Sequence, residues 1–372
     1  MSHSERPTGD RREFLTGGVI RKEVEWYGSR LADELNEAMG STAPVSGPTV
    51  RLGTRAMATE FVVLMNPGPP EQVLVASDVL EEIHALEQEM TVYQDDGELA
   101  QLNRAAQQGD SQQVTARLFE VLSQSLAIAA DTGGAYDPTS GPLIKLWQQA
   151  RAEGRIPTDG ELESALNQTG YQHVALGTEG CRVRYERAGL ELNLGGIGKG
   201  FALDCLASEL RERERSDWLM HGGKSSLLAS GEHHDLDGWP VGVRNPLFPK
   251  ERLATILLRN CGMSTSGAGV QFFRHEGKRY GHILDPRTGL PAEDVLSVTV
   301  LAPTAALADA LSTAFFVMGL EKTRDYCDNH AEIGVLLIPP PRSGRRLKVH
   351  TFNLPGQTLF LSDDNELIDE SA

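Results

Sequence analysis

No uninterrupted apolar run approaches the roughly 18 residues that a membrane-spanning helix requires, so an integral membrane protein is not expected. Cysteine is scarce: Cys181, Cys205, Cys261 and Cys327 are far apart and include no Cys-x-x-Cys pair. That excludes a zinc ribbon or a disulfide framework and leaves the four as buried thiols. The ten histidines contain no His-Glu-x-x-His, and no Gly-x-Ser-x-Gly elbow is present. Zinc-protease and nucleophilic-hydrolase readings lose their usual anchors. Positive charge is in deficit, with 35 Lys and Arg against 52 Asp and Glu, a formal net charge of −17. A surface that acidic repels phosphate backbones, so nucleic-acid binding is not expected. Glycine, by contrast, is plentiful at 38 of 372 residues, and the doublets Gly195-Gly196 and Gly222-Gly223 fall where strands are expected to end. Glycine there lets backbone approach a ligand closely.

The length suits about two domains, or one large domain with insertions. Residues Asp10 to Thr16 (DRREFLT) resemble a twin-arginine export signal, but Val19-Ile20 runs into Arg21-Lys22-Glu23 where an apolar stretch should follow, and no lipobox cysteine is present. Residues 1–48 therefore read as a polar extension with a degenerate signal, an amphipathic helix near 20–39 and a small-residue linker, Gly40 to Pro48. A cytoplasmic location is expected as sequenced, with export through the degenerate signal kept as the alternative. A folded domain is expected over 49–361, and 362–372 as an acidic, solvated tail. Periodicity predicts a strand at 59–65 and one helix over 71–90 with Leu74, Val79, Ile83 and Leu86 on or near one face. Further helices are expected near 98–106, 116–131, 199–214 and 304–318. Strands are expected at 181–186, 190–194, 217–222, 225–230, 239–244, 253–258, 271–274 and 295–301. Grouped rather than alternating elements favour an α+β class. His233-His234 lies in a polar loop read as solvated. Tyr136 to Pro142 and Leu284 to Pro291 look alike, each an Asp-Pro turn with a hydroxyl and a Gly behind it; restrictive turn chemistry explains this better than internal duplication.

Three segments have chemical potential. Leu190 to Asp204 (LELNLGGIGKGFALD) is an alternating strand, a glycine turn and a helix opening with Lys199. Free N–H groups at a helix start beside a cation make an anion site; a tight connection with a surface lysine is the equal competitor. It is neither a Walker A loop nor a Rossmann fingerprint. In the apolar helix 304–318 Asp309 is the exception, and Thr313 presents a hydroxyl one turn on. A carboxylate and a hydroxyl are a plausible protein share of a Mg2+ shell; an Asp bonded to a neighbouring loop competes. Finally, Ser264-Thr265-Ser266-Gly267 offers hydroxyls for phosphate or ribose, and His282 before Asp285-Pro286 could act as a general base. A turn and a structural histidine are the commoner readings of such groups.

Taken in order, these segments resemble the ApbE family of FAD:protein FMN transferases. The parts are Met57 to Phe61 (MATEF), Met90 to Tyr93, Glu98 to Asn103, Gly134 to Thr139, Leu194 to Gly200 with Asp204, His221 to Gly223, Trp239 to Pro246, Ser264 to Gly267, Tyr280 to Pro286 and Ala308 to Ala314. They run from about Arg55 to Ile338. The resemblance implies a T-fold-related, duplicated α+β architecture. It also implies a Mg2+-dependent enzyme that cleaves FAD, attaches FMN through a phosphoester to a Thr or Ser of a partner flavoprotein bearing a Ser/Thr-Gly-Ala-Thr type motif, and releases AMP. On the same basis Asp309, Thr313 and a backbone oxygen near Gly196 would hold the metal. Met57, Tyr93, Ala135, Tyr136, Asp137, Asn193, Lys199, Ile283 and Leu284 would line the FAD site, joined by Thr265 and Ser266, and His282 would be catalytic with Lys199. Asn193 stands where the family usually has Asp, removing a charge beside the flavin. Ser264 to Gly269 partly imitates the acceptor motif, but Gly269 replaces the modified Thr, so no self-flavinylation is expected and a covalent FMN mass on the purified protein would refute this. An FAD pyrophosphatase releasing FMN and AMP, and a flavin-binding protein without turnover, are the alternatives.

Overall fold

The computed structural model describes residues 44, 46–105, 111–177, 179–267, 272–341, 346–354, 358–362 and 365–370. The twin-arginine-like segment, the helix expected near 20–39 and Gly269 lie outside the described residues. The chain begins with β1 (Val50–Ala56), β2 (Thr59–Met65), α1 (Pro70–Glu81), α2 (Ile83–Met90), α3 (Glu98–Ala105), β3 (Gln112–Gln113) and α4 (Ala116–Asp131). It continues through α5 (Gly141–Ala152), α6 (Asp159–Leu166), β4 (Val174–Gly177), β5 (Arg182–Tyr185), α7 (Gly198–Glu212), β6 (Trp218–Gly222) and β7 (Ser226–Ser230). Then come β8 (Trp239–Arg244), β9 (Arg252–Leu258), β10 (Gly262–Gly267), β11 (Phe272–His275), β12 (Lys278–Gly281) and β13 (Ser297–Ala302). The rest is α8 (Ala305–Cys327), β14 (Gly334–Ile338), β15 (Lys348–Phe352), β16 (Leu359–Leu361) and β17 (Glu366–Asp369).

Among the described residues, nine strands form the central sheet in the order β1-β2-β6-β7-β10-β13-β14-β15-β17. Its neighbours are antiparallel except for the parallel β15–β17 pair. Side chains alternate across a strand, and here both faces are covered. Met220, Leu228 and Leu337 join a core with α7 and α8, while Leu219, Leu227 and Leu336 face Trp239, Leu253 and Ile256 of the small β16-β9-β8 sheet. This is why β14 (GVLLI) is buried throughout and shows no alternation in sequence. The class is α+β.

Several expectations need correction. The helix over 71–90 is two, broken around Glu82, and Leu74 is 66% exposed. Residues 190–194 form no strand: the contact to a neighbour is an isolated Ser140–Glu191 bridge, and Asn103 takes the place of a partner strand. Its Oδ1 accepts from Leu192 N and its Nδ2 donates to Leu192 O, both at 2.9 Å. The Ser264-Thr265-Ser266 cluster is strand β10, not a turn. Helix 304–318 extends to Cys327 through a break at Gly319, whose φ of +74° is outside the helical region. The acidic tail is not simply solvated, since residues 366–369 pair with β15 and Glu370 bonds His350. His233, read as solvated, is buried. Of the four cysteines, all unpaired thiols, Cys327 is buried and the others are half-buried.

Candidate active site

The site is assembled at the start of two buried helices. At the start of α8, Thr304 caps Leu307 N, and the Asp204 carboxylate of α7 accepts from Ala305 N at 2.9 Å and Ala306 N at 2.8 Å. Burial pushes the Asp204 carboxyl up to about 6. Two glycines permit this close packing: a Cβ on Gly200 would lie 2.2 Å from Ala305 O, and one on Gly262 would lie 2.5 Å from Ala305 N. One turn further along α8, Asp309 is thereby brought to the first turn of α7. Its Oδ2 accepts from Gly200 N at 3.1 Å and lies 3.3 Å from Lys199 Nζ; its Oδ1 accepts from Ser226 Oγ at 2.8 Å and Ser264 Oγ at 2.9 Å. A carboxylate at a helix N-terminus is favoured by the free N–H groups and the dipole. The anion position expected at this helix start is thus shared with the protein's own carboxylate.

Thr313 lies on the same side of α8, its Oγ1 3.5 Å from Ser266 Oγ, which is itself 2.8 Å from Ser312 Oγ. A Cβ on Gly196 would lie 3.5 Å from Thr313 Oγ1 and 3.1 Å from the Tyr136 ring, so this backbone runs against both. Lys199, Asp309, Thr313, Ser266, Gly196 and Tyr136 therefore meet. A carboxylate, a hydroxyl and nearby backbone form a hard-oxygen donor set that fits Mg2+. Among the described residues no group of three or more His, Cys, Asp or Glu is placed to hold a metal, so a metal at this site would rest on one carboxylate and neutral oxygens.

The remaining candidates lie on the β1–β2 turn, just beyond α2, on the glycine turn before α7 and on the two Asp-Pro loops. Met57 and Ala58 turn the β1–β2 hairpin with φ of +51° and +57°, a left-handed pair that costs non-glycine residues energy. The Met57 amide donates to Glu87 Oε1 at 2.7 Å, tying the turn to α2. The end of α2 reaches α7, with Met90 Sδ 3.8 Å from a Cβ placed on Gly198, and Tyr93 just beyond it is 79% exposed. Asn193 donates its N–H to Pro138 O at 2.7 Å and accepts from Gly195 N through Oδ1 at 2.8 Å, shaping the glycine turn.

Ala135, Tyr136 and Asp137 are buried. Tyr136 OH donates to Ser125 Oγ at 3.3 Å, and burial raises its pKa. Asp137 accepts from Thr139 N at 2.8 Å, Thr139 Oγ1 at 2.6 Å and Tyr171 N at 2.9 Å, with its carboxyl pushed up by burial. The polar side-chain atoms of this loop are engaged within the protein. Asp285 makes the same turn as Asp137, accepting from Arg287 N at 2.9 Å, an arrangement that an Asp side chain favours in turns. The two loops also touch, a Cβ on Gly134 lying 3.8 Å from Arg287 Cγ. His282 is exposed directly after β12; Ile283 packs on the main core, and Leu284 packs with Leu143 and Trp147.

Thr265 is a correction. Its hydroxyl bonds Thr299 Oγ1 at 2.9 Å, and strand alternation puts it on the face opposite Ser264 and Ser266. Ser226, Ser264 and Ser312 are buried polar groups at this site; Ser264 was expected only as one of the hydroxyls for phosphate or ribose, and Ser226 and Ser312 were not singled out. The parity of Ser264 with Ser266 was the available signal for one of them; Ser226, 83 residues from Asp309, had none. An open cleft of about 530 Å³ lies elsewhere, between the end of α4, Arg287 and the second half of α8.

The ApbE family model matches residues 52–337. An FAD:protein FMN transferase of Treponema pallidum is 34% identical over 285 residues, covering 72% of this chain and 78% of that protein. One from Haemophilus influenzae is 32% identical over 268 residues, covering 70% and 76%. The solved flavin transferase ApbE of Vibrio cholerae superposes with a TM-score of 0.72 at 27% identity, covering 82% of this chain and 97% of that one.

Proposed function

The chain belongs to the ApbE family, and from that premise we propose that it is an FAD:protein FMN transferase. The observation that carries the reading is the meeting of Lys199, Asp309, Thr313 and the Gly196 backbone at the start of α7. Asp309 and Thr313, with a backbone oxygen near Gly196, would hold Mg2+, which when bound neutralises charge on the pyrophosphate. Lys199 adds a second cation beside it. Phosphoryl transfer needs mainly positioning and charge neutralisation, which these groups supply. Met57, Tyr93, the Ala135 to Asp137 loop, Asn193, Ser266 and the Ile283-Leu284 segment line the FAD site in this reading, the buried loop through shape and backbone. His282 accepts the proton from the acceptor Thr or Ser hydroxyl. The hydroxyl oxygen forms a bond to the FMN phosphorus, the bond from that phosphorus to the bridging oxygen breaks, and AMP leaves with the oxygen.

The test is to incubate the protein with FAD and Mg2+, with and without an acceptor domain carrying Ser/Thr-Gly-Ala-Thr, and follow acceptor mass, AMP and free FMN. The expected result is one FMN added per acceptor, dependent on Mg2+ and lost in Asp309→Ala. AMP and free FMN at a rate indifferent to acceptor would mean a pyrophosphatase. FAD returned unchanged would mean a binding protein, and Asn193→Asp would be the next variant. Asp309→Ala with full activity would sink the metal assignment.

A further inference from the structure

The two oxygens of the Asp309 carboxylate are held unequally. Oδ1 accepts from two buried serine hydroxyls, Ser226 at 2.8 Å and Ser264 at 2.9 Å. Both distances fall within the ordinary range for O–H···O hydrogen bonds. Oδ2 has longer contacts, 3.1 Å to Gly200 N and 3.3 Å to Lys199 Nζ. The Asp309 side chain is 6% exposed while that of Lys199 is 24% exposed. Ser312 lies beside Ser264: its hydroxyl donates to Asp309 O at 2.9 Å and lies 3.4 Å from Ser264 Oγ.

We propose that Ser226 and Ser264 are positioning residues that pin Oδ1, keeping Oδ2 as the metal-ligating oxygen, and that Lys199 is the resident cation on Oδ2 until a divalent ion takes its place. The inference rests on the metal reading above. A buried carboxylate without a counter-charge is costly, and Lys199 supplies one on a flexible stem. The same stem lets the ammonium leave without moving the α7 backbone, so Gly200 N remains on the carboxylate. Metal binding then pays for displacing an internal ion pair, and Lys199 becomes available to a substrate anion only once the metal is in place. Ser226 and Ser264 stop the carboxylate from rotating to follow the departing ammonium.

The test is calorimetric titration of Mg2+ into the full chain without FAD, at constant ionic strength. Lys199→Met removes the competitor and is expected to bind Mg2+ about tenfold more tightly than the wild type. Its melting temperature should also rise more on adding Mg2+, because the metal then supplies the counter-charge that the lysine supplied. Lys199→Gln, which keeps a donor without charge, is expected to move in the same direction and serves if the methionine variant does not fold. The double variant Ser226→Ala, Ser264→Ala should bind about tenfold more weakly, as for the loss of groups that orient a metal ligand. Unchanged or weaker Mg2+ binding in both folded Lys199 variants overturns the exchange, and unchanged binding in the serine variant overturns the positioning role. If the wild type binds no Mg2+ at all, the metal reading falls and this inference with it; wild-type binding without these shifts overturns this inference alone.

Discussion

His233 lies between Glu232 and His234 in a run of polar residues, yet its ring stacks on Trp239 with centroids 4.5 Å apart. Gly47 N–H donates to its Nε2 at 2.9 Å, so Nδ1 carries the proton and donates to Asn66 Oδ1 at 2.8 Å. The ring is therefore neutral, and burial pushes its pKa down from 6.5 to about 4. Below about pH 6.5 the unfolded chain takes up a proton that the native ring refuses, so His233 makes the protein less stable as pH falls, with the loss complete near pH 4. His221, also lowered to about 4 by burial, acts in the same sense; Asp204, raised to about 6, acts in the opposite one. Urea unfolding at several pH values between 7.5 and 4.5 should thus give a shallower pH slope in His233→Asn than in the wild type, and equal slopes would refute the assignment. Nothing in the sequence around His233 signalled this, because the groups that bury it come from the linker, the end of β2 and β8.

At the scale of elements, the site depends on how closely α7, β10 and α8 approach. A methyl group on Gly200 would lie 2.2 Å from Ala305 O, whereas one on Gly198 would meet only ordinary contacts at 3.7 Å from Leu194 Cβ and 3.8 Å from Met90 Sδ. Gly200→Ala is expected to cost about 1–3 kcal/mol through forced separation of the helices and to weaken FMN transfer. Gly198→Ala should be close to neutral in both, as read by the urea midpoint and the transfer assay; matching losses would place the constraint elsewhere. Periodicity was sufficient for strand 59–65, helix 116–131 and strand 239–244, whose bounds the structure repeats. It failed at 190–194, where alternation suggested a strand but a side-chain amide satisfies the backbone, and at Glu82, where two helical patterns follow one another without a breaker residue.

Across the whole molecule the central sheet is closed at one side by β17, which runs parallel to its neighbour β15, with Glu370 bonded to His350 and paired with Arg324 at 2.9 Å. Residues Lys348 to Thr351 would lose their partners on that side if β17 were removed, while His350 and Thr351 stay paired with Leu337 and Leu336 of β14. Deleting 366–370 is expected to lower the melting temperature by several degrees while leaving FMN transfer at 25 °C in place, because the Asp309 cluster lies on β7, β10 and the helices; unchanged melting would show that the pairing contributes nothing.

Spacing along the chain suffices for the α+β class, for a carboxylate and hydroxyl on one face of α8, and for a lysine at a helix start, since helical and strand periods act over a few residues. The partners on Asp309 could not be had that way. Ser226 and Ser264 reach it across 83 and 45 residues, and Thr265, between two site-facing serines, points to the other face. Such contacts follow from strand order and from the glycines that let elements approach, and no local pattern encodes either.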